Sequence, residues 1–265
     1  GCYWPEGVRH LDDAEAAMLA LTCERAEISD GMTILELGCG WGSLSLWMAQ
    51  HYPKSRIIAV SNSAPQRTYI TAKASERNLT NLQVITADMN DFSTDQTFDR
   101  VVSVEMFEHM RNWPGLLDRI SHWLVPEGKL FIHIFTHRKF AYTYETSGRD
   151  DWMGRHFFTG GIMPSDNLLP RLKGPLAVEK HWRVNGRHYN QTAEAWLANM
   201  DKNRKKIMPV MQRTYGQKEA SCWFQRWRIF FMACAELWGY RDGSEWLVSH
   251  YLLHKKLTTI KENQG

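Results

Sequence analysis

Two glutamates and a histidine, Glu105, Glu108 and His109, crowd the end of the stretch VSVEMFEHM at residues 102–110. Carboxylates hold a cation, and an imidazole takes up a proton near neutral pH. The trio therefore suits acid–base work on a substrate that carries or loses a proton. The plainer alternatives are a structural ion pair at Glu105 and a capping role for His109. A second set lies in ELGCGWG, which contributes Glu36, Gly38, Gly40 and Gly42. Glycines on alternate positions let the backbone turn sharply and let a ligand approach the main chain. The helix that follows offers unpaired N–H groups to a negative group. The spacing is GxGxG, not the GxGxxG of dinucleotide folds, and the absence of GK[ST] argues against a nucleoside triphosphatase. His133 and His137 are four apart and share a strand face. With no third ligand in view they read as a core histidine and a loop histidine, and no metal is expected.

These groups need elements to present them. Helix formers run through residues 12–28, and apolar strands follow at 33–40, 56–60, 82–88, 98–105 and 128–136, with helices at 43–52, 65–78 and 114–124. Strand–helix alternation with nearly unbroken Val/Ile/Leu runs means an α/β fold, a Rossmann-like, doubly wound, mostly parallel sheet covered on both faces. Ligands in such sheets bind past the carboxyl ends of the strands at the switch point, where strands one and four are neighbours. The glycine loop and the EMFEHM tip should therefore meet at one cleft. Beyond 137 the alternation degrades. A sixth strand and its loop occupy 176–189, two helices fall near 192–206 and 217–239, and a last strand covers 245–256. The expectation is one domain over 1–265, with 137–175 and 190–240 as helical lid insertions around an acceptor pocket.

Bulk properties exclude several classes. Thirty-two Lys and Arg face 29 Asp and Glu, a net charge of +3, too weak a field to argue for nucleic acid. No long charge-free apolar run is present, so no integral membrane segment is expected. The nearest stretch, 222–238, carries Arg226, Arg228 and Glu236 and reads as a buried core helix. Five scattered cysteines without a CxxC pair fit free thiols in a reducing compartment, the cytoplasm. A homodimer is compatible with the chain. Twelve tryptophans supply a large aromatic core, or an aromatic pocket for a flat or cationic ligand. The candidates for such a wall are Phe158, Trp182 and Tyr189.

The glycine loop, with an acid two residues before its first glycine, resembles motif I of class I S-adenosylmethionine (SAM) methyltransferases. Strand two of those enzymes usually ends in an acid that holds the ribose hydroxyls. Here it ends VSNSAPQ (60–66), leaving Asn62 and Gln66 as the polar candidates, with an Asx turn as the alternative at Asn62. Asp88 closes strand three, where an acid would bind the adenine amino group. Met89 and Val104 complete the expected cofactor residues. The segments LDDAEAAMLALTCERA, VEMFEHM, DDWMGRHFFTGGIMPS, HWRVNGRHYNQTAEAWLANMD and ELWGY make the chain similar to the cyclopropane-fatty-acid-synthase-like branch, and within it to the coclaurine-type alkaloid N-methyltransferases. Members of that branch usually carry a further helical stretch before the CYW segment, and part of the SAM site is expected there.

The resemblance implies SAM as cofactor and a small aromatic amine of tetrahydroisoquinoline type as the partner molecule. It implies that Glu108 holds the amine, His109 accepts its proton and Glu105 orients the reactants. The competing implication is a lipid cyclopropane synthase that uses bicarbonate as base. That cradle would map onto Cys2, Glu108, His133 and Tyr189, with Phe135 departing from its aliphatic member. The lipid enzymes typically carry glycine where this chain has Glu105, and a carboxylate there suits a cation better than an alkene. A SAM-binding protein without catalysis would have little need of both glutamates and the histidine.

Overall fold

Apolar runs without polar alternation become strands buried on both faces, and four of the first five largely do so here; the third, over 82–86, lies at the sheet edge with Gln83 and Thr86 exposed. In the computed structural model, which describes residues 1–256, α1 (Leu11–Arg25) precedes β1 (Thr33–Leu37), α2 (Ser43–His51), β2 (Arg56–Ser61), α3 (Ala64–Glu76), β3 (Leu82–Thr86) and β4 (Phe98–Val104). A 3₁₀ turn at Phe107–His109 leads to α4 (Trp113–Trp123) and β5 (Leu124–His137). The chain continues through β6 (Tyr142–Thr143), α5 (Trp152–His156), β7 (Ile162–Met163), α6 (Leu168–Arg171) and β8 (Leu176–Val184). It closes with α7 (Arg187–Lys202), α8 (Arg204–Tyr215), α9 (Ala220–Gly243) and β9 (Trp246–Lys255). Seven strands form one sheet in the order β3-β2-β1-β4-β5-β9-β8, and β6 pairs with β7 separately. The pairings β3–β2, β2–β1, β1–β4 and β4–β5 are all parallel. β1 and β4 are adjacent as expected, with Leu37 opposite Ser103.

The chain divides into two compact units. One gathers Gly1–Leu21, Phe135–Asp166 and Arg183–Ser249, and the other Thr22–Ile134, Asn167–Trp182 and the described residues from His250 onward. In the second, Leu35, Ile57, Phe98 and Phe131 are fully buried, and Cys39 of the glycine loop packs in one cluster with Leu46, Ile70 and Ala74. The first is an aromatic unit. Phe135, Tyr189 and Trp238 form its core, with Tyr144, Phe158 and Trp196 packed on the outside.

Three sequence expectations are corrected. A further helix, α8, stands between the two expected late helices: Asn203 ends α7, and Pro209 lies inside α8. The 222–238 stretch is not a buried core helix. It lies within α9, and Ile229 and Met232 are 47% and 42% exposed, because only the side carrying Phe224, Cys234, Ala235 and Trp238 meets the core. His137 is not in a loop; it ends β5, buried, with Nε2 3.3 Å from Glu245 Oε1. Among the described residues, no helix is long and apolar enough to cross a membrane.

Candidate active site

The glycine loop leaves β1 at Leu37 and is pinned at once, because the Gly38 and Cys39 N–H groups both donate to the Val60 carbonyl at 3.0 Å. Gly38 has φ +79°, and a Cβ there would lie 2.7 Å from the Met106 side chain. Gly40 has φ +54°, and a Cβ there would meet nothing within 4 Å. The first glycine thus allows close packing, and the second leaves open space.

That space belongs to a cavity of about 430 Å³ at the tips of β1, β2, β3 and β4, within the 300–1,000 Å³ common for small-ligand sites. Of the residues read from the sequence, it brings together Gly38, Gly40, Asn62, Gln66, Asp88, Met89, Glu105 and His109. Asn62 is open to it, and the α3 cap falls to Ser63, whose side chain accepts from the Gln66 N–H. Ser61 Oγ donates to Gln66 Oε1 at 2.5 Å, which aims that amide. The Asp88 carboxylate is held by Asn90, whose backbone and side-chain N–H groups donate to Oδ1 at 2.8 and 2.9 Å.

Several contributors were not legible in the sequence. Ser61, Asn90, Met106 and Met110 also line the cavity. Arg119, on α4, donates to the carbonyls of Met89, Asn90 and Phe92 at 2.8–3.2 Å and so fixes the loop that carries Asp88. The amphipathic pattern of α4 marks a helix, but nothing in it says where one arginine will reach.

Glu36, Gly42 and Val104 do not line the cavity. Gly42 caps α2 in the left-handed conformation, and Val104 sits in β4 opposite His133. Glu36 is 2% exposed and accepts a hydrogen bond from Ser45 Oγ. Burial pushes its pKa up to about 7, with the Ser45 bond opposing. Folded protein therefore keeps a proton that the unfolded chain releases between its ordinary value of 4.5 and about 7. Stability falls as pH rises through that window, at roughly 1.4 kcal/mol per pH unit and on the order of 3 kcal/mol in all. Glu36→Gln should remove this slope and melt above the wild type at pH 8. Melting curves at pH 5 and 8 check it, and equal slopes in the two proteins would refute the assignment.

The strand tip answers why β4 ends in acids. Glu105 has φ +50°, a left-handed conformation at a non-glycine residue, which costs about 1–2 kcal/mol. Its N–H still donates to the His133 carbonyl at 2.8 Å, continuing the β4–β5 pairing, and the left-handed φ then turns the chain. The 3₁₀ turn then places His109 toward the cavity and Glu108 inward. His109 is exposed, yet partial desolvation lowers its pKa, with Glu105 opposing, so the ring is neutral at pH 7. Glu108 is fully buried and does not line the cavity; neither carboxylate oxygen has a hydrogen-bond partner. Burial first, and then the charge of Glu105, raise its pKa well above the carboxylate range.

The remaining expected residues divide between the units. Trp182 is on β8 in the unit that contains the cavity, but it does not line it. Its ring lies under the Arg25 guanidinium at 5.2 Å. In the aromatic unit, Phe158 packs on Phe135 at 5.4 Å and Tyr189 stacks on Trp238 at 4.5 Å, so both join one cluster. The Cys2 N–H donates to Thr192 Oγ1 at 3.1 Å. Among the described residues, no group of three or more His, Cys, Asp or Glu is arranged to hold a metal.

Comparison with known proteins gives the family. Residues 1–245 match the family model of mycolic acid cyclopropane synthetases. The chain is 40% identical over 259 residues to (S)-coclaurine N-methyltransferase of Thalictrum flavum subsp. glaucum, covering 96% of this chain and 72% of that one. It is 29% identical to the cyclopropane-fatty-acyl-phospholipid synthase of Escherichia coli K12, over 93% of this chain and 60% of the relative. A crystal structure of coclaurine N-methyltransferase bound to N-methylheliamine and SAH superposes with a TM-score of 0.92 at 40% identity, covering 96% of this chain and 74% of that one.

Proposed function

Because the chain belongs to the mycolic acid cyclopropane synthetase family and is a SAM-dependent methyltransferase, we propose that it methylates the nitrogen of a small aromatic amine of tetrahydroisoquinoline type. One observation carries this reading: two carboxylates, Glu105 and Glu108, stand together at the β4 tip, one on the cavity and one buried without a partner. A buried carboxyl without a partner costs roughly 1–3 kcal/mol, and a cationic ligand relieves that cost as an alkene cannot.

We assign Gly38, Gly40, Asn62, Gln66, Asp88 and Met89 to holding SAM. The open approach at Gly40 and the braced amide and carboxylate of Gln66 and Asp88 fit a ligand with an adenosine head and an amino-acid tail. SAM supplies an electrophilic methyl carbon on a sulfonium when bound. An alkyl amine resists methylation because it is protonated, with a pKa near that of lysine, about 10. Glu108 receives the ammonium, and a cation beside it lowers its own raised pKa back toward ionisation. Glu105 orients the nitrogen. His109, neutral and exposed, takes the proton that the nitrogen must lose. Acceptor recognition falls to the 137–175 and 190–240 segments, with Phe158 and Tyr189 as its aromatic contacts. The five free cysteines fit a cytoplasmic location.

A second reading has its own support. Glu108 and His133 Nε2 are both buried and without a hydrogen-bond partner, and both belong to the bicarbonate cradle that lipid cyclopropanation would need. Turnover assays with SAM and either tetrahydroisoquinoline amines or cis-unsaturated phospholipid separate the two. Both products gain one CH2, so mass does not decide. We expect N-methyl signals from the amine and an unchanged alkene signal from the lipid by NMR. Loss of the alkene signal, with dependence on added bicarbonate, would overturn the amine reading.

A further inference from the structure

Behind Glu105 runs a buried chain of polar contacts to the far side of the same unit. Arg25 Nη1 lies 2.9 Å from His250 Nδ1, His250 Nε2 lies 2.9 Å from His133 Nδ1, and His133 Nε2 lies 3.5 Å from Glu105 Oε1. Both imidazoles are fully buried, and the Arg25 guanidinium lies over the Trp182 ring. The partners come from α1, β9, β5 and the β4 tip, 225 and 117 residues apart in the two closest links.

The chemistry of the first member orders all the others. A guanidinium has five N–H donors, no acceptor, and does not give up a proton in a protein. His250 Nδ1 must therefore present a lone pair to Arg25. A neutral imidazole has one donor and one acceptor, so the His250 proton is on Nε2, facing His133 Nδ1. His133 Nδ1 is then the acceptor, and its proton is on Nε2, facing Glu105. We propose that Arg25, through His250, sets the tautomer of His133 so that an N–H donor, and not a lone pair, faces the Glu105 carboxylate; Arg25 and His250 are positioning residues for the acceptor side of the site. Burial, joined for His250 by the neighbouring His133 and Arg25, lowers both pKa values, which agrees with neutral rings. At 3.5 Å the last contact is at the outer limit of a hydrogen bond. It orients Glu105 electrostatically, and a small shift of the carboxylate would complete it.

The polarity of the chain also decides what it cannot do. Every donor points toward Glu105, and the far end is an arginine that cannot surrender a proton. The chain is therefore no exit for the proton of the acceptor, and Glu105 stays an oriented carboxylate while His109 does the accepting. This role rests on the amine reading, but the tautomers themselves do not.

Histidine-selective ¹⁵N labelling tests the tautomers directly in the whole protein. Long-range ¹H–¹⁵N spectra at pH 7, assigned with His133→Gln and His250→Gln, should show both rings neutral and protonated on Nε2. A proton on Nδ1 of either ring in the wild type overturns the proposal. Arg25→Leu should shift His250 and His133 away from the pure Nε2–H form and lower kcat about tenfold, a barrier change of about 1.4 kcal/mol, with SAM affinity unchanged. Arg25→Lys retains a donor and should restore both tautomers and most of kcat. Unaltered spectra in Arg25→Leu, or no rescue by lysine, would also overturn it. If the leucine variant does not fold, the wild-type and lysine spectra decide. A protein with the expected tautomers that methylates no amine sinks only the substrate reading; one that methylates amines with Nδ1–H rings sinks only this proposal.

Discussion

Glu108→Gln should lower kcat by about 10²- to 10⁴-fold, the usual weight of a positioned acid–base group, while SAM binds as before. Glutamine keeps the shape of the side chain but cannot take a negative charge beside an ammonium. The fold should tolerate it, since Glu108 makes no hydrogen bond to lose and its pKa is already raised well above the carboxylate range. SAM affinity should hold because Glu108 does not line the cavity that carries Gly40, Gln66 and Asp88. His109→Ala should behave alike in kcat, since it removes the neutral imidazole that takes the proton. Calorimetric SAM binding beside steady-state kinetics separates the two effects. A fall in SAM affinity as large as the fall in kcat would place Glu108 on the cofactor side and end the acceptor-side assignment.

Gly40→Val should abolish SAM binding, by at least about a hundredfold, or roughly 3 kcal/mol. Two effects add. Valine at φ +54° is strained, because a β-branched residue is a steric outlier in the left-handed region. More important, the new methyl groups would project into open space that no protein atom fills within 4 Å of the Cβ, which is the approach the ligand needs. Gly31→Val is the control. Gly31 has φ +97°, also with nothing within 4 Å, and it lies outside the cavity. Both variants should lose comparable melting temperature, and only the first should lose SAM. If Gly40→Val binds SAM with wild-type affinity, the glycine loop is not the cofactor loop.

Much of the site was legible because it is local in sequence. The glycines 38, 40 and 42 and the trio 105, 108 and 109 each lie within a few residues, at the ends of apolar runs whose type could be read directly. The rule that ligands sit past the carboxyl ends of parallel strands then joins them, and the pairing of β1 with β4 bears out that step. Asn62 was singled out by the resemblance to SAM methyltransferases, from a strand end that lacks their usual acid, and it lines the cavity.

Other features came only from the folded chain, and for one reason: periodicity reports which way a side chain faces but not what arrives opposite it. Composition allowed Trp182 as a pocket wall, yet its ring is taken by Arg25. Arg119 looked like one more charge on α4 and instead braces the Asp88 loop. The stretch expected as one helix near 192–206 holds the break between two helices. The alternating glycines and the acid–acid–histidine trio pointed to the chemistry by residue type alone. Tertiary structure decided its electrostatics: it buried Glu108 without a partner, strained Glu105 into the left-handed region, and brought Arg25 and His250 together across 225 residues. Desolvation and hydrogen-bond direction depend on everything that surrounds a group in space, so no pattern along the chain carries them.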